Sequence, residues 1–288
     1  MTIPVLGIFY IVTEAGMNTS SLIIAIMQAL TKEEMTMYRT NPYRWWNVLA
    51  FAAVIAVNVL SNALPLGGRT TGEISDRYYI YITPAGYAFG IWFLIYVLLA
   101  GFVIYQLRRD TGTRDSVRSI GIWFTLSCIF NMAWLFLWHY LYIEWSVGAM
   151  LLLLLSLGII YRKTRAVYYP TGGETWLLKL PFSIYLGWVC AAFLVNVGIV
   201  IHKNAWSPLG LSEFGWSIAL LCVGAVLSIL ISYPYRDSVL PLVFVWAYIA
   251  IAVEHRDADK IMLASFILAA VQFIYALWLL LARIRERD

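Results

Sequence analysis

The chain has 288 residues, of which 62% are hydrophobic, 16% are aromatic and only 12% are charged. Soluble domains typically contain about 25% charged residues, so this composition excludes an ordinary water-soluble domain and indicates a protein that lies mostly in lipid. The net charge is only +4. The positions of the basic residues indicate that this positive charge sets the orientation in the membrane and does not serve to bind nucleic acid.

The N-terminal segment contains no clear membrane span. Two apolar runs, residues 3–12 and 21–30, are each too short to cross a bilayer, and Glu14 and Asn18 lie between them. No basic residue precedes the first run, which is untypical of a signal peptide. We expect residues 1–41 to form a peripheral or poorly ordered segment, although a ninth span stays open.

Eight later runs are apolar enough to be membrane helices, because a helix needs roughly 20 such residues to cross the hydrocarbon core. They cover residues 45–63, 84–107, 117–139, 143–161, 177–201, 214–233, 238–254 and 259–282. This pattern predicts an all-α integral membrane protein that crosses the membrane about eight times. Pro84 suits the first position of the second helix, where a missing N–H costs nothing.

The basic residues predict the orientation of these spans. If both termini lie in the cytoplasm, the cytoplasmic segments contain 15 of the 20 Lys and Arg residues, and the outer loops contain five: Arg69, Arg77, Lys203, Arg256 and Lys260. Cytoplasmic loops usually hold the excess of Lys and Arg. The sequence therefore predicts a multi-pass protein with both termini in the cytoplasm.

The first outer loop, Leu64–Thr83, is much longer than most of the other connections. Long loops in compact proteins are often lids or binding elements, so this loop is either a lid or a solvated linker. Its Gly, Thr and Ser content argues against a strand or a long helix.

The spans contain almost no ionisable residue at mid-depth. Glu144, Lys179, Asp237 and Glu254 all lie near span ends, which disfavours an ion-coupled pump and a retinal protein. The three histidines, His139, His202 and His255, lie at outer span ends. Snorkelling polar ends explain them better than metal or haem ligation, so no metal site is predicted.

Asparagine and aromatic residues recur at helical spacing in three spans. A buried amide in lipid must hydrogen-bond to another helix or to a ligand, so these faces should point into the bundle. We expect them to line an outward-facing cavity under the loop, although aromatic packing between helices explains the tryptophans equally well. The candidate ligand-binding residues are Phe89, Trp92 and Tyr96 in the second span, Asn131, Trp134 and Trp138 in the third, and Trp188, Ala192 and Asn196 in the fifth. Phe93 accompanies the aromatic stripe of the second span.

Three segments resemble the TspO/MBR family, the tryptophan-rich sensory proteins that include the mitochondrial translocator protein. The second span reads "PAGYAFGIWFLIY", the third "NMAWLFLW" and the fifth "YLGWVCAAFLVN", with the family's Trp, Tyr, Ala and Asn spacings. The second is one residue shorter than the family pattern between Gly90 and Trp92, and Pro181 lies four residues before Tyr185 rather than directly before it. The resemblance covers about residues 42–203, which is the family's whole five-helix fold.

The resemblance implies a five-helix TspO-like domain at 42–203, with a three-helix C-terminal extension at 204–288. It also implies a sensory or regulatory protein of a bacterial cell membrane that binds a hydrophobic ligand such as porphyrin or haem. No cofactor is expected to be required, and a homodimer stays open. Two alternatives remain: a transporter of small hydrophobic or organic molecules, and an enzyme that degrades porphyrin photochemically.

Overall fold

The computed structural model describes residue 24 and residues 41–63, 66–167, 169–207 and 210–285. The predicted N-terminal segment therefore lies almost entirely outside the described residues. The described part is helical and contains eight long helices. They are α1 (Arg44–Ala63), α2 (Ile91–Leu107), α3 (Trp123–His139), α4 (Ile143–Arg165), α5 (Leu180–Lys203), α6 (Glu213–Ser232), α7 (Val239–Glu254) and α8 (Asp259–Arg285).

Seven of these helices, taken with the helical turns that adjoin them, are long and apolar enough to cross a membrane. The exception is α7, whose 16 residues measure about 24 Å at 1.5 Å per residue. Its two ends nevertheless contact opposite faces of the bundle. Asp237, just before α7, pairs with Arg165 at the end of α4, whereas His255, just after α7, contacts Thr83 of the long loop. The chain is thus an integral multi-pass membrane protein.

Helix α5 lies at the centre of the bundle, between α2 and α4 on one side and α6 and α7 on the other. Every residue from Pro181 to Cys190 is buried, because a helix that is apolar all round can pack against neighbours on every side. Helices α1 and α3 complete the first group, and α8 packs behind α6 and α7.

Two faces of the bundle can be distinguished by their loops. The lid face carries residues 66–83, which we call the lid, and the end of α5, where Lys203 pairs with Glu144 at 2.8 Å. The opposite face, called the basic face, holds the turns between α2 and α3 and between α4 and α5. There Glu174 accepts a hydrogen bond from Ser116 at 2.5 Å and pairs with Arg114 at 3.5 Å.

The start of the second span differs from the expectation. The α-helix begins at Ile91, and a 3₁₀ turn over Gly86–Gly90 precedes it. Pro84 therefore lies in the loop and not at the first helical position. The cause is a contact distant in sequence, since the Ala85 N–H donates to the carbonyl oxygen of Ala250 in α7 at 3.1 Å.

Candidate functional site

The lid contains a short helix, Thr71–Arg77, which a capping box begins. The Thr70 side chain accepts from the Glu73 N–H at 3.3 Å, and the Glu73 carboxylate accepts from the Thr70 N–H at 2.7 Å. These hydrogen bonds hold the pKa of Glu73 below its usual range. The capping box of Thr70 and Glu73 therefore fixes where the short helix of the lid begins.

The end of the lid rests directly on α5 at Gly198. A Cβ atom at this position would lie 2.9 Å from the Ile80 side chain and 3.1 Å from that of Ile82. Both isoleucines are buried. A larger residue would press on the ends of these side chains, so Gly198 lets the isoleucines of the lid pack closely on α5.

A cavity, which we call cavity A, lies beneath the lid; the space between its walls, including the open solvent at its mouth, is about 750 Å³. Seven of the nine predicted residues line it, and none of its described lining residues is charged. These seven are Phe89, Trp92, Trp134, Trp138, Trp188, Ala192 and Asn196. The structure therefore brings side chains from α3, α5 and the start of α2 to one place.

Three of the tryptophans that line cavity A form a stacked row with Tyr96. Trp92 stacks on Tyr96 at a ring separation of 5.6 Å and on Trp134 at 6.2 Å. Trp134 stacks in turn on Trp138 at 6.0 Å. The Trp138 indole N–H donates to the carbonyl oxygen of Thr71 at 3.2 Å, so the row ends against the lid.

A second cavity, cavity B, lies on the other side of this row, between α1, α2, α3 and the lid; its space, including open solvent, is about 1460 Å³. Phe89, Trp92 and Trp134 line both cavities, whereas Tyr96 lines only cavity B. Phe93, expected in the inward stripe, also lines cavity B but is 77% exposed. Position 93 lies one residue, about 100° of helical turn, from position 92, so the two rings point in different directions.

Asn131 is fully buried but lines neither cavity. Its amide donates to the Tyr185 hydroxyl at 3.0 Å, and its carbonyl oxygen accepts from Asn58 at 3.3 Å and Tyr96 at 3.5 Å. These bonds join α1, α2, α3 and α5. Asn131 therefore holds the helices together, which the sequence pattern alone could not distinguish from ligand binding.

Asn196 has a different arrangement. It lines cavity A and exchanges hydrogen bonds with Ser146 of α4 at 3.1 Å. In contrast, the indole N–H groups of Trp134 and Trp188 are buried and have no hydrogen-bond partner within the described residues. A buried N–H without a partner costs free energy.

Helices α6 and α7 contribute a further wall to cavity A, which the sequence pattern did not predict. This wall consists of Leu220, Leu221, Phe244, Ala247, Tyr248 and Ile251. The α7 members recur at steps of three and four residues, which is the signal that could have revealed them. Thr71, Ser75 and Ile82 of the lid also line the cavity.

The three histidines do not form a metal site, and no group of three or more potential ligands of this kind occurs in the described part of the chain. His139 contacts the Leu135 carbonyl oxygen at 2.8 Å, and His202 pairs with Glu213 at 2.9 Å. His255 bonds to two groups of the lid. Each histidine thus has a separate structural environment.

Comparison with known proteins assigns the chain to a family. A family model described as "TSPO-like protein" matches residues 44–278, and neither the curated proteins nor the solved structures gave a match. The matched region includes α6, α7 and most of α8, beyond the residues on which the sequence resemblance was based. The chain is therefore a member of the TSPO-like family.

Proposed function

We propose that the protein is a sensory or regulatory receptor of a bacterial cell membrane, which holds a hydrophobic aromatic ligand in cavity A. The observation that carries this proposal is the wall of the cavity, which combines four tryptophans with a closed lid and contains no charged side chain among its described residues. Extended aromatic ligands suit such a wall, since rings bind rings by stacked and edge-on contacts.

A metal-free porphyrin fits the lining better than haem does. Haem iron is usually held by His, Cys, Met or Tyr, and the described lining of cavity A includes no His, Cys or Met. The one tyrosine, Tyr248, donates its hydroxyl to the Leu221 carbonyl oxygen at 2.8 Å.

The test is a titration of purified protein with protoporphyrin, in which quenching of tryptophan fluorescence gives the dissociation constant. We expect micromolar binding, which Trp188→Ala weakens about tenfold because one aromatic wall is lost, equivalent to roughly 1.4 kcal/mol. Trp145→Ala is the matched control, since Trp145 is 73% exposed on α4. Equal affinities for the two variants, or no quenching at all, would contradict the proposal.

Cavity B favours a second function, the transport of small hydrophobic molecules. Val59 and Phe93 line this cavity and are exposed, so it opens toward the lipid-facing surface. The Trp92 and Trp134 rings, shared by both cavities, would then separate a lipid-side compartment from cavity A. Uptake of a porphyrin into protein-containing vesicles, beyond that into empty vesicles, would favour transport, and light-dependent bleaching of bound porphyrin would favour a photochemical enzyme.

A further inference from the structure

Helix α7 contacts both the start of the second span and the lid. The Trp246 indole N–H donates to the Ala88 carbonyl oxygen at 3.2 Å, and Ala85 donates to Ala250. At the outer end, His255 lies against two lid groups, the Tyr79 hydroxyl at 2.8 Å and the Thr83 carbonyl oxygen at 3.1 Å. Helix α7 therefore holds the end of the lid.

The partners of His255 define its protonation in the closed lid. A carbonyl oxygen can only accept, so Nε2 must carry the hydrogen that reaches Thr83. In the neutral ring, Nδ1 then has a free lone pair and accepts the hydroxyl hydrogen of Tyr79. Both ring nitrogens are satisfied without any charge, and the residue is only 1% exposed.

Protonation would disturb this arrangement. A hydrogen on Nδ1 points at the Tyr79 hydroxyl, which must give up its donor role, and a positive charge is placed in a site shielded from water. Burial lowers the pKa of His255, although the Thr83 bond and the nearby Glu254 carboxylate partly oppose this effect. The neutral ring is therefore the form that the closed lid prefers.

None of the other titratable or charged groups described around His255 takes over its contact between α7 and the lid. From the lid, Tyr79 and Tyr81 place their rings 5.1 and 6.2 Å from the imidazole, and burial raises the pKa of Tyr79. Glu254 on α7 and Asp257 in the following turn are exposed carboxylates. Both carboxylates also contribute to the raised pKa of Tyr79. Arg256, between them, is exposed as well.

We propose that His255 positions the lid over cavity A and releases it when the imidazole becomes protonated. The group is a positioning residue, since it does not line the cavity. An open lid exposes His255 to water, where its pKa returns to about 6.5. The closed lid is then fully stable above about pH 6.5 and is weakened as the pH falls below that value.

Hydrogen exchange of the lid amides, residues 71–83, tests this in the full-length protein without ligand. We expect wild-type protection, corrected for the intrinsic exchange rate, to fall by up to about tenfold per pH unit below pH 6.5, while protection in α5 stays constant. His255→Gln should make lid protection independent of pH. His202→Gln, which changes the exposed histidine of the same face, should keep the wild-type profile.

A flat wild-type profile, or the same fall in His255→Gln, would overturn the proposal. If His255→Gln does not fold, NMR titration of the three wild-type histidines tests the proposal instead. One histidine signal must titrate with the same midpoint as lid opening, and that signal must still be present in His202→Gln. Because this regulation acts on the ligand site proposed above, porphyrin dissociation is measured over the same pH range. Absence of porphyrin binding would reject that site, while lid exchange would still report on His255.

Discussion

Asn131 illustrates how one polar side chain organises a lipid-embedded bundle. It lies among aromatic and aliphatic neighbours, yet its amide reaches Tyr185, Asn58 and Tyr96 on three other helices. Hydrogen bonds between membrane helices average about 0.6 kcal/mol and reach about 1.7 kcal/mol. Several bonds converging on one amide therefore fix the relative positions of the helices that carry the tryptophan row.

Replacement of Asn131 should affect stability more than ligand binding. Asn131→Leu keeps the volume but removes the partner of two tyrosine hydroxyls, so we expect a loss of roughly 1–2 kcal/mol in the free energy of unfolding. Denaturant unfolding in mixed micelles measures this loss, and Tyr185→Phe with the double variant completes a cycle that isolates the bond. Porphyrin affinity should change less than threefold. A larger loss of affinity than of stability would restore the ligand-binding role that the sequence suggested.

At the scale of elements, the sequence predicted the eight helices well because long apolar runs have few alternatives in lipid. It did not predict that Gly86–Gly90 forms a 3₁₀ turn, since that turn depends on a hydrogen bond from Ala85 to Ala250. Nor did it predict the wall that α7 gives to cavity A, because the apolar residues of a membrane helix do not reveal which of them face a cavity.

Filling the α7 wall tests whether the last three helices belong to the ligand site. Ala247 is 3% exposed and lines cavity A, so Ala247→Phe should occupy ligand space and weaken porphyrin binding at least tenfold. Ile249→Phe is the control on the same helix, because Ile249 is exposed. Titration of tryptophan fluorescence compares the two variants. Wild-type affinity in Ala247→Phe would place the ligand elsewhere, cavity B being the first alternative.

At the scale of the whole molecule, the first five helices and the last three are joined through α5 and through a buried ion pair at the basic face. Arg165, at the end of α4, lies 2.8 Å from Asp237, and their side chains are 6% and 1% exposed. The Asp237 carboxylate also accepts from the Tyr161 hydroxyl at 2.9 Å, and Arg165 bonds to Ser183 of α5. Local sequence patterns could not predict this pairing, since 72 residues separate the partners (237 − 165). The expected domain limits at residues 41/42 and 203/204 stay predictions.

Removal of one charge from this pair should loosen the attachment of the last three helices. Asp237→Asn leaves Arg165 buried without its counter-charge, and breaking a buried pair in this way typically costs about 3–5 kcal/mol. Asp110→Asn is the matched control, because the Arg108–Asp110 pair is 63% and 64% exposed and exposed pairs contribute at most about 1 kcal/mol. Unfolding of both variants in mixed micelles measures the difference. If Arg165→Met with Asp237→Leu recovers most of the loss, the cost arises from the uncompensated charge. The pair would then specify how the last three helices attach rather than supply net stability.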